Sequence, residues 1–159
     1  MDATTTPGRG GAGYSGTPLP CKLGIRAGSS VVLLSAPEGF EAVLAPLPEN
    51  VKVTSRLPKG PSGPLVGTSA KRCVDVAVLF TTSQADLGRR FAHVAGVLQP
   101  AGGFWVAWPK RASGVPTDLT ETAVREVGLA HGLVDNKVCA ITDVWSGLRF
   151  VVRLRDRPR

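Results

Sequence analysis

Cysteine is scarce and scattered. Cys21, Cys73 and Cys139 make an odd count, and no C-x-x-C pair or Cys/His cluster occurs. That excludes a disulfide scaffold and the usual zinc-site spacings, and Cys139, set in an apolar run, reads as a small core residue. No apolar run approaches the roughly 18 residues of a membrane span. Residues 1–20 hold Gly, Thr and Pro where a secretory signal would carry its apolar segment. The expectation is a soluble, cytoplasmic protein with no membrane partner. Only one tyrosine is present, so there is no interleaved aromatic and basic platform for single-stranded nucleic acid. Acidic residues are outnumbered, which leaves a formal charge of +7. Five of the nineteen basic residues, Arg149, Arg153, Arg155, Arg157 and Arg159, crowd the end of the chain, and the others are dispersed apart from the pairs Arg89–Arg90 and Lys110–Arg111. This distribution implies a general attraction for anions rather than specific nucleic-acid recognition.

What is present suits one α/β domain. In 159 residues, 43% of them hydrophobic, a chain can bury roughly two thirds of its unfolded surface without a metal or disulfide. Residues 1–20 read as a flexible tail whose end is pinned to the domain by Leu19, Leu23 and Ile25, residues 21–156 as a single domain, and residues 157–159 as a basic end. Ser30–Ser35 is an apolar, β-branched run and predicts a strand covered on both faces. Pro37 suits a first helical position, with Phe40, Val43, Leu44 and Leu47 as a helical stripe. VKVTSRL, Val51 to Leu57, predicts a second strand, and the Pro- and Gly-rich residues 58–72 a long loop. Val74–Ser83 predicts the third strand, with Ser83 as cap of a helix whose buried stripe is Leu87, Phe91, Val94 and Leu98. GFWVAWP predicts strand four, with Trp105 and Trp108 on opposite faces. Asp118 and Glu121 resemble a helix-capping box, and Gly132 a C-terminal stop. KVCAITDV predicts strand five and LRFVVRLR strand six, joined by a tight Trp145–Ser146–Gly147 turn as an antiparallel hairpin.

This order predicts a mainly parallel, Rossmann-like sheet of about six strands with helices on both faces, closed by an antiparallel hairpin. The phrase VLQPAGGFWVAW, Val97 to Trp108, with the closing hairpin resembles the second half of class I S-adenosylmethionine-dependent methyltransferases, over roughly Val74–Leu154. The segments YSGTPLPCKLGI, APEGFEAVL, WVAWPKRASGVPTDLTE, GLVDNKVCAI and WSGLRFVVRLRDR resemble, over nearly the whole chain, an uncharacterised bacterial family of short, methyltransferase-like proteins. That resemblance implies the fold and carries no activity with it.

The first strand–helix turn departs from the methyltransferase pattern. A nucleotide-binding turn needs glycine so that the backbone can bend through positive φ and approach the ligand without a Cβ in the way. Ser35-Ala36-Pro37-Glu38-Gly39-Phe40 offers one glycine and a proline. The acidic residue that would close strand two and hold ribose hydroxyls is absent, and Arg56 stands there instead. No cofactor is therefore predicted, with S-adenosylmethionine kept as an alternative. Open parallel sheets bind ligands beyond the carboxyl ends of their strands, which brings together Glu38, Thr81, Ser83, Lys110, Trp145, Ser146 and Arg149 as candidate ligand-binding residues for a small anion or planar ring. Each has a plainer use: Lys110 as a solvated lysine, Arg149 paired with Asp143 across the hairpin, Ser146 in the turn, Glu38 as a charge at a helix start and Asp118 as a cap. His93 and His131 lie on a polar helix face and at a helix end, and no nucleophile motif or carboxylate pair is evident. Asp135, Asn136 and Lys137 read as a polar turn before strand five. The sequence thus favours a non-catalytic binding or regulatory module for a small anionic molecule or a protein partner. An atypical methyltransferase, or an interaction module able to form a homodimer, is the alternative.

Overall fold

The computed structural model describes residues 17–57 and 73–156. The expected tail, apart from its last few residues, the 58–72 loop and the basic end lie outside the described residues. The first element among the described residues is a short helix α1 (Leu19–Leu23) that takes in Leu19 and Pro20, residues whose composition points to the tail. Burial explains the difference: Pro20 and Leu23 are enclosed, and Gly24 ends the helix in the left-handed region at φ 87°. Strand β1 (Ser30–Leu34) is followed by α2 (Phe40–Leu44), β2 (Lys52–Thr54), β3 (Val74–Phe80) and α3 (Gln84–Val97). Then come β4 (Leu98–Pro109), α4 (Glu121–Ala130), β5 (Leu133–Ala140) and β6 (Trp145–Val152).

The six strands form one sheet in the order β2-β1-β3-β4-β6-β5. β2, β1, β3 and β4 run parallel to one another, while β6 runs antiparallel to both β4 and β5. The closing hairpin thus inserts its second strand between β4 and β5. Trp145, Ser146 and Gly147 belong to β6, not to the turn: they pair with Pro109, Trp108 and Ala107. The turn is made upstream, where the amides of Ile141 and Thr142 donate to the Trp145 carbonyl and Thr142 Oγ1 accepts from the amides of Val144 and Trp145. A threonine hydroxyl that imitates a backbone turn does what the Ser-Gly pair was expected to do. Asp135, Asn136 and Lys137 likewise lie within β5 rather than before it.

β4 starts at Leu98, directly after α3, and runs through Pro100. The proline is tolerated because the β3–β4 register shifts between the pairs Val74–Leu98 and Val76–Gly103, so the missing N–H breaks no ladder bond there. α2 starts later than expected, at Phe40, with Gly39 at its N-cap. Ser83 caps α3 by accepting from the Asp86 amide. α4 is capped by Thr120, which accepts from Ala123, while Asp118 accepts from the Gln84 amide, 2.8 Å away, at the start of α3. Asp118 is a cap, then, but of the neighbouring helix.

Two buried clusters cover the two faces of the sheet. On one, Leu87, Phe91 and Val94 of α3 and Val124 of α4 pack against Phe104, Trp108 and Phe150. On the other, Leu23, Phe40 and Leu44 pack against Val31, Phe80 and Trp105. The two tryptophans point to opposite faces as alternation requires, and Trp105 Nε1 donates to the Leu23 carbonyl at 3.0 Å inside the core. No helix among the described residues is long and apolar enough to cross a membrane.

Candidate functional site

The chain leaves β1 for β2 on one side and returns to place β3 on the other. The carboxyl ends of β1 and β3 therefore flank the point where strand order reverses, the place where open α/β sheets leave a crevice. Ser35 follows β1 with φ 58°, a left-handed conformation that ordinarily favours glycine. Gly39 supplies the second left-handed position, φ 83°, four residues on. Between this turn and the end of β2 lies an open hollow of about 470 Å³, bounded by Leu33, Ser35, Ala36, Pro37, Gly39, Phe40, Glu41 and Ser55. Its size falls within the range of small-molecule sites.

At the β3 end, Thr81 is buried and its hydroxyl donates to Asp86 Oδ2 at 2.7 Å. The same carboxylate accepts from Arg89, and from Arg90 at 3.1 Å. Arg90 then reaches across the switch point and donates through its second terminal nitrogen to Ser35 Oγ, also at 3.1 Å. A continuous line Thr81–Asp86–Arg90–Ser35 so joins the ends of β3 and β1. Burial alone would raise the Asp86 pKa, but hydrogen bonds from Thr81 and Arg90 and the charges of Arg90 and Arg89 outweigh it and hold the carboxyl below its ordinary value.

At the β4–β6 end, the Lys110 amide donates to the Val144 carbonyl at 2.7 Å, fixing the chain just after β4. Trp145 opens β6 opposite Pro109 and meets Phe80 edge to face at 5.1 Å. Phe80 in turn meets Phe40 at 4.9 Å. A row of three aromatic rings thus runs from the lining of the hollow to the start of β6.

Of the residues expected at this edge, Thr81 and Ser83 lie between β3 and α3, Lys110 and Trp145 stand at the β4–β6 end, and Ser146 is one residue inside β6. Glu38 is exposed in the turn before α2, and it is Glu41, one helical turn away, that borders the hollow. Arg149 stands apart. It pairs with Trp105, four residues back from Pro109, or ~13 Å along the strand. Its guanidinium lies over Gly103 and beside Gly24, and donates to Asn136 Oδ1 at 3.4 Å. Because the strand begins at Trp145, Arg149 falls in its middle, away from the carboxyl edge and from Asp143. Asp86 and Arg90 are the residues that sequence reasoning missed at this edge. Their signal was the spacing of four on a helix, which places a carboxylate and a guanidinium on one face.

The methyltransferase resemblance of the sequence implies S-adenosylmethionine as a ligand, and the residues present fit it poorly. The hollow is roomy enough, and Glu41 offers one carboxylate. However, β2 is followed by Ser55 and Arg56 rather than by an acid that could hold ribose hydroxyls. The Arg90 guanidinium on Ser35 also sets a positive charge at the rim, against a sulfonium cation.

No family model and no curated protein matches the sequence. Solved structures do match the fold. A SAM-dependent methyltransferase from Aquifex aeolicus is similar with a TM-score of 0.61 at 13% identity, over 85% of this chain and 88% of that one. A protein described as a candidate methyltransferase from Thermoplasma acidophilum is similar with a TM-score of 0.51 at 11% identity, over 88% and 76%. At such identities the likeness speaks for architecture: this chain has a methyltransferase-like α/β fold with a mostly parallel, six-stranded sheet and a closing antiparallel hairpin.

Proposed function

We propose that this protein binds a small molecule carrying a flat ring and an anionic group at the carboxyl edge of its sheet, as a binding or regulatory module that does not transform it. The observation that carries this reading is the hollow beside the strand-order reversal, with Pro37 and Phe40 on its apolar wall and a guanidinium held on Ser35 of its lining. Apolar faces suit a planar ring, and a guanidinium suits a carboxylate or phosphate. A nucleoside monophosphate has both parts. Neither described histidine borders the hollow. His131 stacks on Phe91 at the end of α4, 4.8 Å between ring centres, and His93 is exposed on α3.

The second reading is an atypical S-adenosylmethionine-dependent methyltransferase, which Glu41 on the hollow wall supports: it could hold ribose hydroxyls from α2 instead of from β2. Thermal melting separates the two. A ligand at one hundred times its dissociation constant stabilises by ~2.7 kcal/mol, which for a domain of this size raises Tm by roughly 5–10 °C. Adenosine monophosphate at millimolar concentration is expected to give such a shift and S-adenosylmethionine none. A shift with S-adenosylmethionine alone would establish the second reading. No shift with either would remove both and leave a protein partner as the occupant.

A further inference from the structure

We infer that Arg90 is the residue that receives the anionic group of the ligand and sets the preference for anionic over cationic ligands, with Asp86 as its positioning residue. The inference rests on the binding reading above and goes further, to the residue that selects. Arg90 belongs to α3, on the far side of β3 from the hollow's apolar wall, yet one of its terminal nitrogens is on Ser35, a residue of the hollow itself. It is held from behind: Asp86, one helical turn earlier, grips the other terminal nitrogen and is itself fixed by the buried Thr81 hydroxyl. A long, mobile side chain is thereby confined to one orientation before any ligand arrives, which reduces the entropy lost on binding. The Arg90 side chain is still 30% exposed. Two of its five N–H donors are engaged in these two bonds, and the fork geometry suits bidentate capture of an oxyanion. Arg89 also pairs with Asp86, so two guanidiniums face one carboxylate and the cluster keeps a net positive charge. The Ser35 backbone, held at φ 58°, turns its hydroxyl to this guanidinium, and such sparsely populated conformations gather at ligand clamps.

The experiment is calorimetric titration of adenosine monophosphate and of adenosine into the wild type, Arg90→Gln, Arg90→Lys and Arg89→Gln, each checked by thermal melting. Arg90→Gln is expected to weaken the monophosphate by roughly tenfold or more and to leave adenosine unchanged, because only the phosphate meets the guanidinium. Arg90→Lys, which keeps the charge and loses the fork, should fall between, and it carries the test if the glutamine variant does not fold. Arg89→Gln removes the same charge from a side chain 70% exposed and should cost less than about threefold. Equal losses from Arg89→Gln and Arg90→Gln would overturn the assignment in favour of a general field, and so would an equal loss for adenosine. In both cases the binding reading would survive. A wild type that ignores the monophosphate, or prefers S-adenosylmethionine, would overturn both.

Discussion

Asp86 accepts from three side chains, Thr81, Arg89 and Arg90, while its own amide is used by the Ser83 cap. Its pKa is depressed in the folded state despite burial. A carboxyl with a folded pKa below its unfolded one adds stability that is complete above the unfolded value and is lost as pH falls through the folded value. Asp86→Asn is therefore expected to lower stability at pH 7 by about 1–3 kcal/mol, with the difference from wild type shrinking as pH drops below about 4. Urea unfolding at pH 7 and pH 3 measures this, and a difference that does not change with pH would exclude the carboxylate charge as its source. At this scale the sequence was a partial guide. Thr81 and Ser83 were visible because they follow an apolar strand and precede a helical stripe. Arg149 was misplaced because a three-residue error in where β6 begins moves a side chain from the sheet edge to its middle. The partnership of Arg90 with Ser35, 55 residues apart, has no local signature at all.

Among the elements, α4 shows where local preference and packing disagree. Gly128 lies inside this helix, and replacing an interior glycine by alanine ordinarily stabilises by about 1 kcal/mol. Here a Cβ would stand 2.0 Å from Phe150 Cε1, against a ring that is fully buried. Gly128→Ala is accordingly expected to destabilise, by about 1–3 kcal/mol, with a lower Tm as the readout. An increase would show that Phe150 can move aside. The hydrophobic stripe of α3 was legible because its buried face repeats at helical spacing, and the central strands because they are unbroken apolar runs covered on both faces. The closeness of α4 to Phe150, the Thr142-built turn and the start of β4 before Pro100 were not, since each depends on what lies across the gap rather than along the chain.

For the whole molecule, the two faces of the sheet are joined to their helices by different means. α3 and α4 cover one face with broad apolar stripes, whereas the five-residue α1 is tied to the other through Leu23 and the bond from Trp105 to its carbonyl. Trp105→Phe leaves that buried carbonyl unpaired and removes part of a fully buried ring, so a loss of about 1–3 kcal/mol is expected. Hydrogen exchange should show faster opening at α1 than at α3, and equal acceleration at both would contradict a separate tether. The sequence by itself determined the α/β class, the closing hairpin, the opposed faces of the two tryptophans and the atypical first turn, because apolar periodicity, proline and glycine act over a few residues. Only the tertiary structure decided the strand order, the cap that Asp118 serves, the displacement of Arg149 from the site and the Thr81–Asp86–Arg90–Ser35 line across the strand reversal. Each of these is a meeting of distant segments, settled by which surfaces bury together and which polar atoms then need a partner.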